Sequence, residues 1–155
     1  MASKASGGWF KKGYWGFAKA EGFLGHFLLL AIRLYWGYLL VMAGAGKWMH
    51  IQHVGEYFES LGIPKIMAYV VASIELLGGI SLFFGILTRF FTLALTIVFT
   101  TALMTAHKDA ITSITTFIQQ EPFLYLYASL VVLCFGPGLF SIDYWLEKKS
   151  YGEAL

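Results

Sequence analysis

Charge is what this sequence has least of. Asp, Glu, Lys and Arg make up 13% of its 155 residues, about half the share found in soluble domains. Apolar residues make up 58%, more than the roughly 45–50% typical of a water-soluble fold. That balance excludes an ordinary soluble globule and places the chain in the membrane class. Cysteine is nearly missing as well: Cys134 stands alone. No internal disulfide and no C-x-x-C redox pair can form, so a thiol relay would need its second thiol from a partner.

The motifs of free-standing catalysis are also missing. The sequence holds no P-loop, no Gly-rich dinucleotide turn, no nucleophile elbow and no H-E-x-x-H zinc motif. No carboxylate-bridged di-metal pattern appears. His50-x-x-His53-x-x-Glu56 brings three potential ligands near one helix face, but a pair of surface-loop histidines is commoner than a metal site. His26 and His107 fall towards opposite leaflets, which argues against bis-histidine haem. The sequence therefore implies no intrinsic cofactor and no metal. The formal net charge of +2 does not point to a nucleic-acid partner; the partner it implies is the lipid bilayer.

What is present is apolar length. Four runs stand out: 23–46, 66–86, 90–106 and 122–140. A membrane-crossing helix needs about 20 apolar residues, with a lower limit near 17. The first two satisfy this, and the third is at the limit. The first run is too long for a signal-peptide core and contains Arg33, so it reads as a retained span despite the small residues Ala43-Gly44-Ala45. The fourth is broken at Gly136-Pro137-Gly138, leaving a regular part of about 21 Å. Unwound backbone at that depth requires protein or water to satisfy it. Lys4, Lys11, Lys12, Lys19, Arg89, Lys148 and Lys149 fall on one side, against Lys47, Lys65 and Lys108 on the other. The positive-inside rule then places both termini in the cytoplasm. The predicted fold is an all-α integral membrane protein, an antiparallel four-helix transmembrane bundle. An N-terminal interfacial segment covers 1–22, the bundle 23–143 and a cytoplasmic tail 144–155.

The connections carry their own signals. Leu87-Thr88-Arg89 makes a tight hairpin between the second and third spans. Ile51, Val54 and Leu61 recur at roughly helical spacing, which predicts a short helix on the outer surface, and Ala110–Gln119 repeats the pattern. Trp9, Phe10, Tyr14, Trp15 and Phe17 alternate with lysines as an interfacial anchor does, although the glycines there argue against a stable helix.

The rare charges inside the spans are the candidate site. Arg33 lies near the middle of the first run and Glu75 near the middle of the second. A charge at the bilayer centre costs roughly 2.5–3.5 kcal/mol even on lenient scales, so each should face a partner. Antiparallel neighbours bring their midpoints level, which predicts an Arg33–Glu75 pair. His26, Arg33, Gly37, Gly44 and Lys47 share one helical face, and Ala72, Gly78 and Gly79 flank Glu75 on another. Thr96, Thr100 and His107 share a face of the third span, with Thr92 slightly off it. Together these predict a polar seam with Lys47 and His107 at its outer end and Arg33–Glu75 at its middle. Arg89 and Asp143 would form a clamp at its cytoplasmic edge. Each has a plainer alternative: a register-fixing ion pair, a lysine that snorkels to the interface, a capping histidine, a loop clamp, and in Cys134 a small hydrophobe.

The order of these residues resembles a known family. Arg33, Gly37 and Lys47 are followed by Gly62-Ile63-Pro64, Glu75-Leu76-Leu77-Gly78-Gly79, Gly85-x-x-Thr88-Arg89, Ala106-His107, Gly136-Pro137-Gly138 and Ser141-Ile142-Asp143. Over about Arg33 to Asp143 this resembles the DoxX family of small bacterial membrane proteins. The resemblance implies a four-helix bundle in the bacterial inner membrane and an association with quinone-linked redox or oxidative-stress systems. It also supports a role for Arg33, Lys47, Glu75, Arg89, His107 and Asp143. The expected function is a non-autonomous subunit of a quinone-linked oxidoreductase or detoxification system. In it, Arg33, Lys47, Glu75 and His107 would bind a quinone-like molecule or handle protons. The alternatives are an anchor or assembly scaffold for a soluble or membrane oxidoreductase, a homo-oligomer among the assemblies to consider, and a small-solute transporter lined by the Gly136–Gly138 break.

Overall fold

A computed structural model describes the backbone of residues 7–106 and 114–152, and the side chains of 23–106 and 115–150. The described residues fold into α-helices: α1 (Gly7–Met49), α2 (Ile51–Ser60), α3 (Ile66–Phe84), α4 (Thr88–Thr105), α5 (Ile114–Ile118), α6 (Glu121–Phe135) and α7 (Ile142–Gly152). His107 and the aromatic side chains of the N-terminal anchor lie outside the described residues.

Among the described residues, three helices are long and apolar enough to cross a membrane: Phe23–Met49 within α1, α3 and α4. At 19 residues α3 measures about 28 Å, close to the hydrocarbon thickness. The fourth predicted span is shorter than its run of apolar residues. Helix α6 has 15 residues, roughly 22 Å, and unwinds at Gly136 and Gly138, both with φ +77°. The extended residues beyond α6 carry the chain back to the α3–α4 turn, where Asp143 N–H donates to Gly85 O at 2.8 Å. The protein is thus an all-α membrane protein whose fourth bundle helix is completed by unwound backbone.

Helices α1, α3, α4 and α6 pack in that cyclic order, α1 on α3, α3 on α4, α4 on α6 and α6 back on α1. Lipid is as apolar as leucine, so no hydrophobic force drives these helices together; close backbone approach and buried polar contacts must do it. Gly37 and Gly79 supply the approach. A Cβ on Gly37 would stand 3.0 Å from Gly79 O, and one on Gly44 would stand 2.5 Å from Leu76 N. Leu40, Leu82, Leu95, Phe99 and Val132 fill the centre. Outward, Leu24, Phe90 and Met104 are exposed, as lipid-facing residues should be.

One local expectation needs revision. The N-terminal glycines do not prevent helix, since α1 runs unbroken from Gly7. Extending an existing helix avoids the costly nucleation step that an isolated segment would face. The tail beyond Asp143, for which the sequence set no secondary structure, is helical through Gly152 as α7, and the short helix expected between the first two spans is present as α2.

Candidate functional site

Arg33 and Glu75 do not meet. Gly44 packs over Leu76, so Glu75 is level with the end of α1 nearer Gly44. Arg33 stands eleven residues before Gly44, roughly 16 Å along the axis. The midpoints of two apolar runs are level only if the packing register centres both runs at the same depth. Here the apolar part of α1 has 27 residues against 19 in α3, and the register is set by Gly37, Gly44 and Gly79. The predicted seam therefore divides into two clusters.

The first is an architectural knot at the α3–α4 turn. Arg33 is 1% exposed. Its Nε donates to Leu82 O at 2.9 Å, and its Nη1 donates to Pro137 O at 2.6 Å and to Phe140 O at 3.0 Å. Leu82 O belongs to the last turn of α3, whose carbonyls lack intrahelical partners. Pro137 and Phe140 lie in the broken segment. The guanidinium fork thus satisfies the carbonyls that the break frees, which is how unwound backbone persists at membrane depth. Gly85 at φ +71° is required there, because a Cβ would collide with the Arg33 guanidinium and with Ser141.

Asp143 closes the knot from the other side. Its carboxylate oxygens accept from Leu87 N–H and Thr88 N–H, each at 2.8 Å. This caps the N-terminus of α4, where a negative charge also suits the helix dipole. It holds Leu87 at φ +49°, a left-handed conformation unusual for leucine. The predicted Arg89–Asp143 clamp is therefore a carboxylate-to-backbone clamp. Arg89 is exposed, with its guanidinium 3.8 Å from where a Gly136 Cβ would be.

The second cluster holds the other charge. Glu75 is 3% exposed, and its Oε2 accepts from Lys47 Nζ at 2.5 Å. Lys47 therefore turns inward to the carboxylate rather than snorkelling away, while its side chain keeps 32% exposure. Ala72, Gly78 and Gly79 around Glu75 are buried as expected, and they leave room for α1 and for Leu95 of α4 to close in. Tyr125 of α6 lies within electrostatic range of Glu75. Its ring stacks on Phe99 with centroids 5.1 Å apart and meets Trp36 edge-on at 5.4 Å. One buried ion pair thus shares the bundle with an aromatic wall from α1, α4 and α6.

Sequence reasoning passed over Trp36 and Tyr125, because aromatic residues in a chain this rich in them carry no periodic signal. Nor do the α4 threonines line the seam. Thr92 is fully buried, and Thr92, Thr96 and Thr100 each donate to the carbonyl four residues back, at 2.7–2.8 Å. Their hydroxyl protons are spent within α4.

Residues 28–108 match the model of the DoxX family. The Escherichia coli (strain K12) protein named "Inner membrane protein YqjF" is 32% identical over 131 residues, covering 78% of this chain and 93% of that one. The Bacillus subtilis (strain 168) protein named "Putative oxidoreductase CatD" is 40% identical over 60 residues, 39% of this chain. That match takes in 45% of the relative, less than half its length. No solved structure matches the chain. The apolar helices and the full-length bacterial relative make this an inner-membrane protein. With more than half its residues matched, the chain belongs to the DoxX family.

Proposed function

We propose that this protein is the membrane subunit of a quinone-linked redox or detoxification system, and that a quinone-like molecule binds beside Lys47 and Glu75. The observation that carries this reading is the ion pair itself, a buried carboxylate held by a lysine that remains partly open. A quinone needs an apolar slot, donors for its carbonyls and a route for protons. Lys47 Nζ supplies the donor, Glu75 the acceptor, and Tyr125 with Trp36 and Phe99 an aromatic wall. A relative bearing an oxidoreductase name supports the redox association. In this reading Arg33 is set apart from the ligand residues, since Nε and Nη1 bond carbonyls and Nη2 alone has no partner among the described residues. His107 stays in it as a residue to test.

The knot favours a second reading, a scaffold for an oxidoreductase partner. Two of the conspicuous charged residues, Arg33 and Asp143, bond backbone groups of the fold. The decisive experiment is mass spectrometry of the organic extract of mildly purified protein, against an unrelated membrane protein of similar size. Isoprenoid quinone enriched in the wild type and lost in Glu75→Gln supports the site. No enrichment, together with retained cellular function in Lys47→Leu/Glu75→Leu, supports the scaffold.

A further inference from the structure

Helix α7 presents a surface that the bundle does not use. It begins where Asp143 is pinned to Gly85, Leu87 and Thr88, at the turn joining two membrane-crossing helices. Its first residues are thus fixed at the membrane boundary. From that anchor the helix runs on with Ile142 40%, Trp145 70% and Leu146 59% exposed. These three stand at i, i+3 and i+4, one face of a helix. Together with Lys148 and Lys149 they line one shallow hollow. The exposed residues of the neighbouring turn are lipid-facing in kind: Phe84 53%, Leu87 62% and Phe90 67%. The exposed apolar face of α7 is therefore of the same kind as the lipid-facing surface of the bundle.

Charge identifies what covers it. Asp143, the acidic residue nearest the bundle, is consumed by the α4 amides, while Lys148 and Lys149 are exposed and Arg89 is exposed on the adjoining turn. Tryptophan and lysine side by side are residues of the headgroup layer: the ring sits between acyl chains and water, and the lysine stem lies on apolar surface with its ammonium among phosphates. An amphipathic helix of this make-up lies in the interface plane and binds better to anionic lipid.

We infer that α7 is an interfacial helix seated in the headgroup layer of an anionic leaflet by Ile142, Trp145 and Leu146 and held there by Lys148 and Lys149. This rests on the fold and the surface of α7, and it is independent of any ligand at Lys47–Glu75.

The test uses the full chain with Cys134→Ala, so that a single introduced cysteine carries a nitroxide. Leu146→Cys reports the apolar face and Glu147→Cys the far side. Each is reconstituted in phosphatidylcholine bilayers with and without phosphatidylglycerol. With phosphatidylglycerol, the label at 146 should be accessible to oxygen and shielded from a water-soluble nickel chelate, and the label at 147 should show the reverse. Adding Lys148→Gln and Lys149→Gln should make the reading at 146 the same in both bilayers, with the bundle intact by circular dichroism. Water exposure at 146 in anionic bilayers overturns the inference. So does a label that is immobilised and shielded from both reagents, the sign of a protein partner. A depth that ignores phosphatidylglycerol in the unmodified helix overturns the role of the lysines.

Discussion

A double-mutant cycle distinguishes the pairing seen in the structure from the one that apolar midpoints suggest. Lys47→Met removes the ammonium 2.5 Å from Glu75 Oε2 and leaves a carboxylate buried. Breaking a buried pair from one side costs about 3–5 kcal/mol. Lys47 keeps a third of its side chain exposed, so water screens part of that loss and about 2 kcal/mol is expected. Glu75→Gln keeps the volume and lets the freed lysine turn to the interface, costing roughly 1 kcal/mol. The double variant Lys47→Met/Glu75→Gln leaves no unpaired charge and should also cost about 1 kcal/mol, a coupling near 2 kcal/mol. For Arg33→Met with Glu75→Gln the two sites share no partner, so their effects should add to within about 0.5 kcal/mol. Reversible unfolding in mixed micelles with increasing SDS, followed by tryptophan fluorescence, measures all five variants and the wild type. A large Arg33–Glu75 coupling, or an additive Lys47–Glu75 pair, would refute the geometry.

Three further outcomes follow from the knot and the helix register. Arg33→Lys retains the charge but has no fork to reach Leu82, Pro137 and Phe140 together; losing two charge-assisted bonds should cost about 3 kcal/mol in the same unfolding assay. Gly44→Val places atoms where Leu76 N stands 2.5 Å away, so α1 and α3 must separate; a spin-label distance between the two helices should lengthen by an ångström or more, and unchanged spacing would count against this packing. Asp143→Ala uncaps α4 and frees the start of α7, with an expected loss of about 1–2 kcal/mol and faster amide exchange at Leu87 and Thr88.

Legibility in the sequence depended on whether a feature is local. The start of α3, the break at Gly136–Gly138 and the short helix at 51–60 are written in nearby residues, so composition and periodicity found them. The buried faces holding Gly37 and Gly44, and Ala72, Gly78 and Gly79, were also legible, because 3.6-residue spacing fixes a face whatever lies opposite. Pairing between helices was not. It depends on axial register, which small residues set by contact at one or two positions, and a shift of three turns exchanges one partner for another. Tyr125 and Trp36 were hidden for the opposite reason: their neighbours are aromatic throughout.

The same register explains why two charged groups with similar sequence settings serve different ends. Arg33 falls level with the end of α3, where carbonyls lack partners, and a planar donor fork answers backbone acceptors better than it would answer one carboxylate. Glu75 falls one level away, in the regular middle of α3, where every backbone group is already bonded and only a side chain can approach. Lys47 is the donor within reach, and about a third of its side chain stays exposed. A fully buried arginine and a partly open lysine are therefore consequences of where each helix ends. A search for function in this bundle should follow the charge that stays open. If Glu75→Gln impairs cellular function while unfolding no more easily than Arg33→Lys, the open pair carries the activity and the knot carries the fold.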